Sequence, residues 1–237
     1  TRATSPGRVT REPSPPKVCD DREPVVPMQD IRSLAFPLAM LVATGLAVWQ
    51  SNPQILALVA VFALALQSAR EGRGALGWAN GLTWLRILVA AAMVLLPQGS
   101  LALAGVAFLV FALDGVDGAI ARKLGTESAF GAELDKECDA FFVLMVGVLL
   151  WHQGTAGPWV LIPGAWRYVY SLVVATVANL RPAPRSNWGR YSYSTSCVCL
   201  ILALWRETPM PTALAAIATV LISASFLRSL YYCLPRS

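Results

Sequence analysis

Seven acidic residues, Asp114, Asp117, Glu127, Glu133, Asp135, Glu137 and Asp139, supply half of the 14 Asp and Glu in a chain of 237 residues. Asp114 and Asp117 are three positions apart and Asp135 and Asp139 four apart, so on helices each pair projects from one face. Gathered at one depth, four carboxylates offer hard oxygen ligands suited to Mg2+ or Mn2+, and their number favours two divalent ions. Glu133 and Glu137 fall off the Asp135/Asp139 face and are assigned to the polar surface, with Lys136 helping to balance their charge. Gly115 and Gly118 follow the first two aspartates, and Gly131 precedes the second pair. Glycine costs a helix about 1 kcal/mol, tolerated where a ligand or a neighbouring backbone must come close.

The elements that must position these acids are apolar. Hydrophobic residues make up 56% of the chain and charged residues 14%, against about a quarter charged in an ordinary soluble domain. Apolar runs such as 55–69, 101–113, 140–151 and 213–226, extended by their flanks, approach the roughly 20 residues that cross a bilayer. The sequence reads as an all-α, polytopic transmembrane helical bundle. Two apolar stretches, about 33–50 and 53–69, are separated by Ser51-Asn52-Pro53 and form an N-terminal hairpin. Six more helices are expected near 79–96, 100–123, 129–152, 157–179, 190–206 and 211–233. Residues 1–32 are a flexible polar tail rich in Arg, Pro and Ser, without the apolar core of a cleavable signal.

Eight spans with a cytoplasmic tail put Arg70, Arg73, Arg122, Lys123, Arg181, Arg185, Arg190 and Arg236 inside and leave Arg206 outside, as the positive-inside rule requires. The charge of +5 is spread through tails and loops, which argues against a nucleic-acid face. Cys197 and Cys199 lack partners for a zinc site, since the single histidine, His152, lies in another loop. A charge at the centre of a span costs about 3 kcal/mol, so clustered aspartates need a cation, a partner or a water-filled cavity.

Together these residues spell Asp114-x-x-Asp117-Gly118-x-x-Ala121-Arg122, eight residues, Gly131, three, Asp135, three, Asp139. This resembles the signature of the CDP-alcohol phosphatidyltransferase family with every fixed position filled. The resemblance covers 71–237, and it implies a six-helix catalytic membrane domain beyond the hairpin at 33–70. It implies that Asp114, Asp117, Asp135 and Asp139 ligate divalent metal and that Asp139 is the base toward the incoming hydroxyl. It implies further that Gly118, Ala121, Arg122 and Gly131 accommodate the nucleotide of a CDP-lipid donor such as CDP-diacylglycerol. Asn80 and Thr83 resemble the family's N-x-x-T segment on the nucleotide side.

For the acceptor alcohol, Arg167 with Arg181, Arg185 and Arg190 can clamp a phosphate, which suits glycerol 3-phosphate or an inositol phosphate. Arg167 can equally be paired with a carboxylate. Lys136 and Ala140 depart from the glycerophosphate branch, so a plain alcohol or a lipid acceptor, as in cardiolipin synthesis, stays open. The resemblance also implies an inner-membrane enzyme with its site on the cytoplasmic side, surrounded by membrane lipids, and homodimers are common in the family. From another class, a divalent-cation transporter accounts for the aspartates but not for Gly118, Ala121 and Arg122 at their spacing.

Overall fold

The structure is a computed structural model that describes residues 34–71, 78–124, 129–176 and 187–233, with the side chains of 71, 78, 79, 116–124, 129, 174, 175 and 187 outside that description. The polar tail at 1–32 lies outside the described residues. Among the described residues the chain is all-α: α1 (Ala35–Trp49), α2 (Pro53–Glu71), α3 (Trp78–Ala92), α4 (Leu101–Leu124), α5 (Ala129–His152), α6 (Ile162–Thr176), α7 (Asn187–Leu204) and α8 (Pro211–Cys233). A 3-10 turn extends α3 through Met93–Leu95, and another, Pro158–Leu161, leads into α6.

The turn between α1 and α2 follows its residue types. Ser51 takes a positive φ of 50°. The Asn52 N–H donates back to the Ala47 carbonyl at 2.9 Å, and the Asn52 side chain accepts from the Gln54 N–H at 3.0 Å, capping α2 with proline at its first position. α1 and α2 pack against one another, as do α7 and α8.

α5 is the central element. It packs on α3, α6, α2 and α7, and residues 140–150 are buried without a break. A helix that is apolar all round has its place in the middle of a bundle. α6 approaches it closely through Gly164, where an added Cβ would meet the Leu144 Cα at 2.5 Å. Small residues let helix backbones meet in this way. Polar side chains hold the outer helices: the Trp166 indole N–H donates to Ser223 Oγ at 2.9 Å, and Ser196 Oγ donates to the Ala218 carbonyl at 3.2 Å. At the end opposite the carboxylates, the Arg206 N–H donates to the Gly99 carbonyl and Thr212 Oγ1 to the Thr155 carbonyl, tying three connections together.

The outer surface carries large apolar side chains. Leu38 and Val42 on α1, Leu58 and Phe62 on α2, Phe108 on α4 and Val220 on α8 are exposed. Pro53–Arg70 and Pro211–Cys233 are long and apolar enough to cross a membrane, and Ala35–Trp49, Asn80–Leu95 and Leu101–Gly115 are shorter apolar helices.

Candidate active site

Three helices bring one charged cluster together. α3 contributes Asn80, Thr83 and Arg86, spaced by three along one side of the helix and all buried. α4 contributes Asp114, and α5 contributes Asp135 and Asp139 one turn apart. Arg86 Nη1 donates to Asp135 Oδ1 at 2.8 Å, and its Nη2 contacts Asp139 Oδ1 at 2.8 Å and Asp114 Oδ1 at 2.9 Å. The Arg86 side chain is 2% exposed, while Asp114, Asp135 and Asp139 keep 28%, 42% and 25%. The guanidinium therefore closes the floor of the cluster, and the carboxylates face upward toward solvent.

Carboxylate oxygens of Asp114, Asp135 and Asp139 lie within 4.8 Å of one another, a group that could hold a metal ion. Among the described side chains, three carboxylates and one guanidinium carry a net charge of −2, the complement of one divalent cation. The donor set, all carboxylate oxygen, fits a hard ion such as Mg2+ or Mn2+.

Sequence reasoning makes α4 and α5 neighbours through their short connection. In the structure α4 packs chiefly on α3 and α7, and α3 packs on both α4 and α5. The physical reason is charge: aspartates of like sign on two helices need a cation between them, and Arg86 supplies it. This arginine is the residue of the cluster that the motif does not include. Its signal was a lone arginine in an apolar span, three residues beyond Thr83, where a charge persists only with partners. Cys138 Sγ, between the two α5 aspartates, lies 4.0 Å from the Thr83 carbonyl and fixes α3 against α5 at the same level.

The remaining expected site residues are placed less fully. Gly131 sits half-buried near the start of α5. Asp117, Gly118, Ala121 and Arg122 follow Asp114 on the backbone of α4, but their side chains lie outside the described residues. Arg181 and Arg185 also lie outside the described residues, and Arg190 is exposed in the first turn of α7.

For Arg167, the sequence offered a phosphate clamp or a carboxylate pair, and the structure shows the pair. Its Nη2 meets Glu137 Oε1 at 2.9 Å and also contacts Glu133 Oε1. Glu137 therefore does not belong to the polar surface expected of it: its side chain is 7% exposed, because α6 delivers a guanidinium to the α5 face on which it lies. Glu133 does retain exposure, and Lys136 pairs with it at 3.2 Å.

No curated protein and no solved structure matched the chain. The family model for CDP-alcohol phosphatidyltransferase matches residues 76–227, from the start of α3 into α8 and across the whole aspartate cluster. With that match spanning well over half its length, the chain belongs to the CDP-alcohol phosphatidyltransferase family, transferases of substituted phosphate groups that act in phospholipid synthesis.

Proposed function

We propose that this chain is a multi-pass membrane enzyme that moves a phosphatidyl group from a CDP-linked lipid such as CDP-diacylglycerol to an acceptor alcohol, releasing CMP. The observation that carries the reading is the convergence of Asp114, Asp135 and Asp139 oxygens within 4.8 Å on elements covered by the family match. In this reading residues 1–32 are a polar tail, 33–70 a transmembrane hairpin and 71–237 a six-helix catalytic domain. The cluster then faces the cytoplasmic side of a bacterial inner membrane, where the basic loops lie.

Asp114, Asp117, Asp135 and Asp139 would hold two divalent ions, Mg2+ or Mn2+, which when bound supply positive charge to the donor diphosphate. Arg86 orients three of those carboxylates from below. Gly118, Ala121 and Gly131 leave space for the cytidine nucleotide, Arg122 pairs with its phosphates, and Asn80 and Thr83 line its side. Asp139 accepts the proton of the acceptor hydroxyl. The hydroxyl oxygen forms a bond to the lipid-bearing phosphorus, the bond from that phosphorus to the bridging oxygen breaks, and CMP leaves with the electron pair.

We assign recognition of an acceptor phosphate to Arg181, Arg185 and Arg190 in the loop before α7 and its first turn, Arg167 being engaged by Glu133 and Glu137. Glycerol 3-phosphate or an inositol phosphate suits these arginines, and a lipid acceptor is the second reading. A cation path is disfavoured by Arg86, whose fixed positive charge sits among the carboxylates that such an ion would have to pass.

The test is CMP release by purified protein with CDP-diacylglycerol and Mg2+ or Mn2+, across glycerol 3-phosphate, inositol phosphate, inositol, serine and phosphatidylglycerol. Release that needs one acceptor, metal and Asp139 supports the reading and names the product. Absence of both nucleotide binding and CMP release under all these conditions refutes it.

A further inference from the structure

α5 carries a second charged face. Glu133 and Glu137 each precede an active-site aspartate by two residues, about 200° around the helix, so they point away from the aspartate cluster. There a cavity of about 720 Å³ opens between α1, α2, α5 and α6. Asp114, Asp135, Asp139 and Arg86 do not line it, and α1 and α2, which form much of its wall, precede the family match. Its volume lies in the range of roughly 300–1,000 Å³ typical of ligand sites, and it is an open groove on the outer surface, since Leu58 and Phe62 in its wall are exposed.

The cavity has a mixed lining. Gln67, Arg70, Glu133, Glu137 and Arg167 supply its polar groups, Phe36 and Pro37 cover them from the start of α1, and Leu58, Val59 and Phe62 continue the apolar wall along α2. Leu58 and Arg70 are twelve residues apart on α2, about 18 Å, comparable to one leaflet of a hydrocarbon core roughly 30 Å thick. Two acceptors among the polar lining residues have no hydrogen-bond partner among the described residues. Glu137 Oε1 takes both Arg167 Nε and Nη2, while Glu137 Oε2 takes none, and neither does Gln67 Oε1. Buried acceptors left unmet are destabilising, so a donor-bearing group is called for. Arg167 and Lys136 offset Glu133 and Glu137, and Arg70 adds a positive charge at the rim, so an occupant that presents a donor to Glu137 and Gln67 and an anionic group to Arg70 meets both.

We propose that this cavity holds one phospholipid with an amine-bearing, zwitterionic head group. Its ammonium donates to Glu137 and Gln67, its phosphate pairs with Arg70 at the exposed rim, and one acyl chain runs along Phe36, Leu58, Val59 and Phe62. The lipid cements the N-terminal hairpin to α5 and α6 without entering the aspartate cluster. The inference rests on the reading of the bundle as embedded in a membrane, but not on the acceptor.

The full chain is washed with carbonate in its membranes, extracted in mild detergent, delipidated and titrated with phosphatidylethanolamine, phosphatidylcholine or phosphatidylglycerol under native mass spectrometry. We expect one phosphatidylethanolamine per chain, retained at least about tenfold better than phosphatidylcholine, whose head group has no N–H to donate. Gln67→Leu and Ala63→Phe, which remove an acceptor and fill the wall, each lower that retention, whereas Asp139→Asn leaves it unchanged. Equal retention of the ethanolamine and choline lipids by the wild-type chain overturns the proposal, and that comparison needs no variant to fold. A dimer abolished by Ala63→Phe, with no lipid preference, overturns it in favour of a second copy of the chain. Release by carbonate alone would instead remove the membrane reading.

Discussion

Replacing Arg86 with methionine keeps the length and apolar stem of the side chain but takes away the one positive charge shown contacting Asp114, Asp135 and Asp139. Arg86 makes contacts of 2.9, 2.8 and 2.8 Å to three carboxylates from a side chain that is 2% exposed. Removing one partner of a buried ion pair costs about 3–5 kcal/mol. The carboxylates retain 25% to 42% exposure, and Asp135 is more than a third exposed. Water screens part of the repulsion, so the expected loss is about 2–3 kcal/mol. For a chain of this size that is a fall in unfolding temperature of roughly 5–10 °C.

The diagnostic is how metal changes that deficit. In EDTA, Arg86→Met leaves three carboxylates against one another; with saturating Mn2+ a divalent charge replaces the lost guanidinium. Thermal unfolding in detergent should therefore show a larger Mn2+-induced gain for Arg86→Met than for wild type, closing most of the gap. An equal deficit with and without Mn2+ would show that Arg86 contributes through packing alone. No deficit in EDTA would remove the charge argument altogether.

Asp139→Asn should abolish CMP release while leaving CDP-lipid binding largely intact, whereas Asp114→Asn should also weaken Mn2+ binding; turnover assays and calorimetry with each variant separate the two, and undiminished activity in either removes its role. Gly164→Ala places a Cβ 2.5 Å from the Leu144 Cα, and the backbone shift it forces should cost about 1–3 kcal/mol in thermal unfolding. Arg167→Met leaves Glu137 buried without its partner, so it should destabilise more than the double variant Arg167→Met/Glu137→Met, in a cycle read by chemical denaturation. Chelation by EDTA should stop CMP release, and Mg2+ or Mn2+ should restore it.

Much of this architecture can be read from spacing. Long apolar runs dictate helices, Ser51-Asn52-Pro53 dictates the turn after α1, and the helical ends fall within a few residues of those expected, apart from the later start of α6 after a 3-10 turn. The aspartates were legible for a similar reason, because intervals of three and four are local facts about a helix. What spacing does not carry is which helix lies beside which. The tie from Arg86 to α5 spans 49 residues to Asp135 and 53 to Asp139, and it follows from charge balance in an apolar setting. The burial of Glu137 was missed likewise: its α5 position was correctly separated from the aspartate face, but the arginine that makes burial tolerable comes from α6, 30 residues away.

Because α5 is gripped by arginines on two nearly opposite flanks, Arg86 on one and Arg167 on the other, its azimuth is set twice over. A turn of the rod about its own axis that relaxed one grip would strain the other. A single-residue insertion between Glu133 and Asp139 would advance the downstream part by about 100° and put the two flanks out of phase. The helix thus behaves as a keyed shaft: substitutions along its buried length can be absorbed, but its residue count between the two keys cannot change.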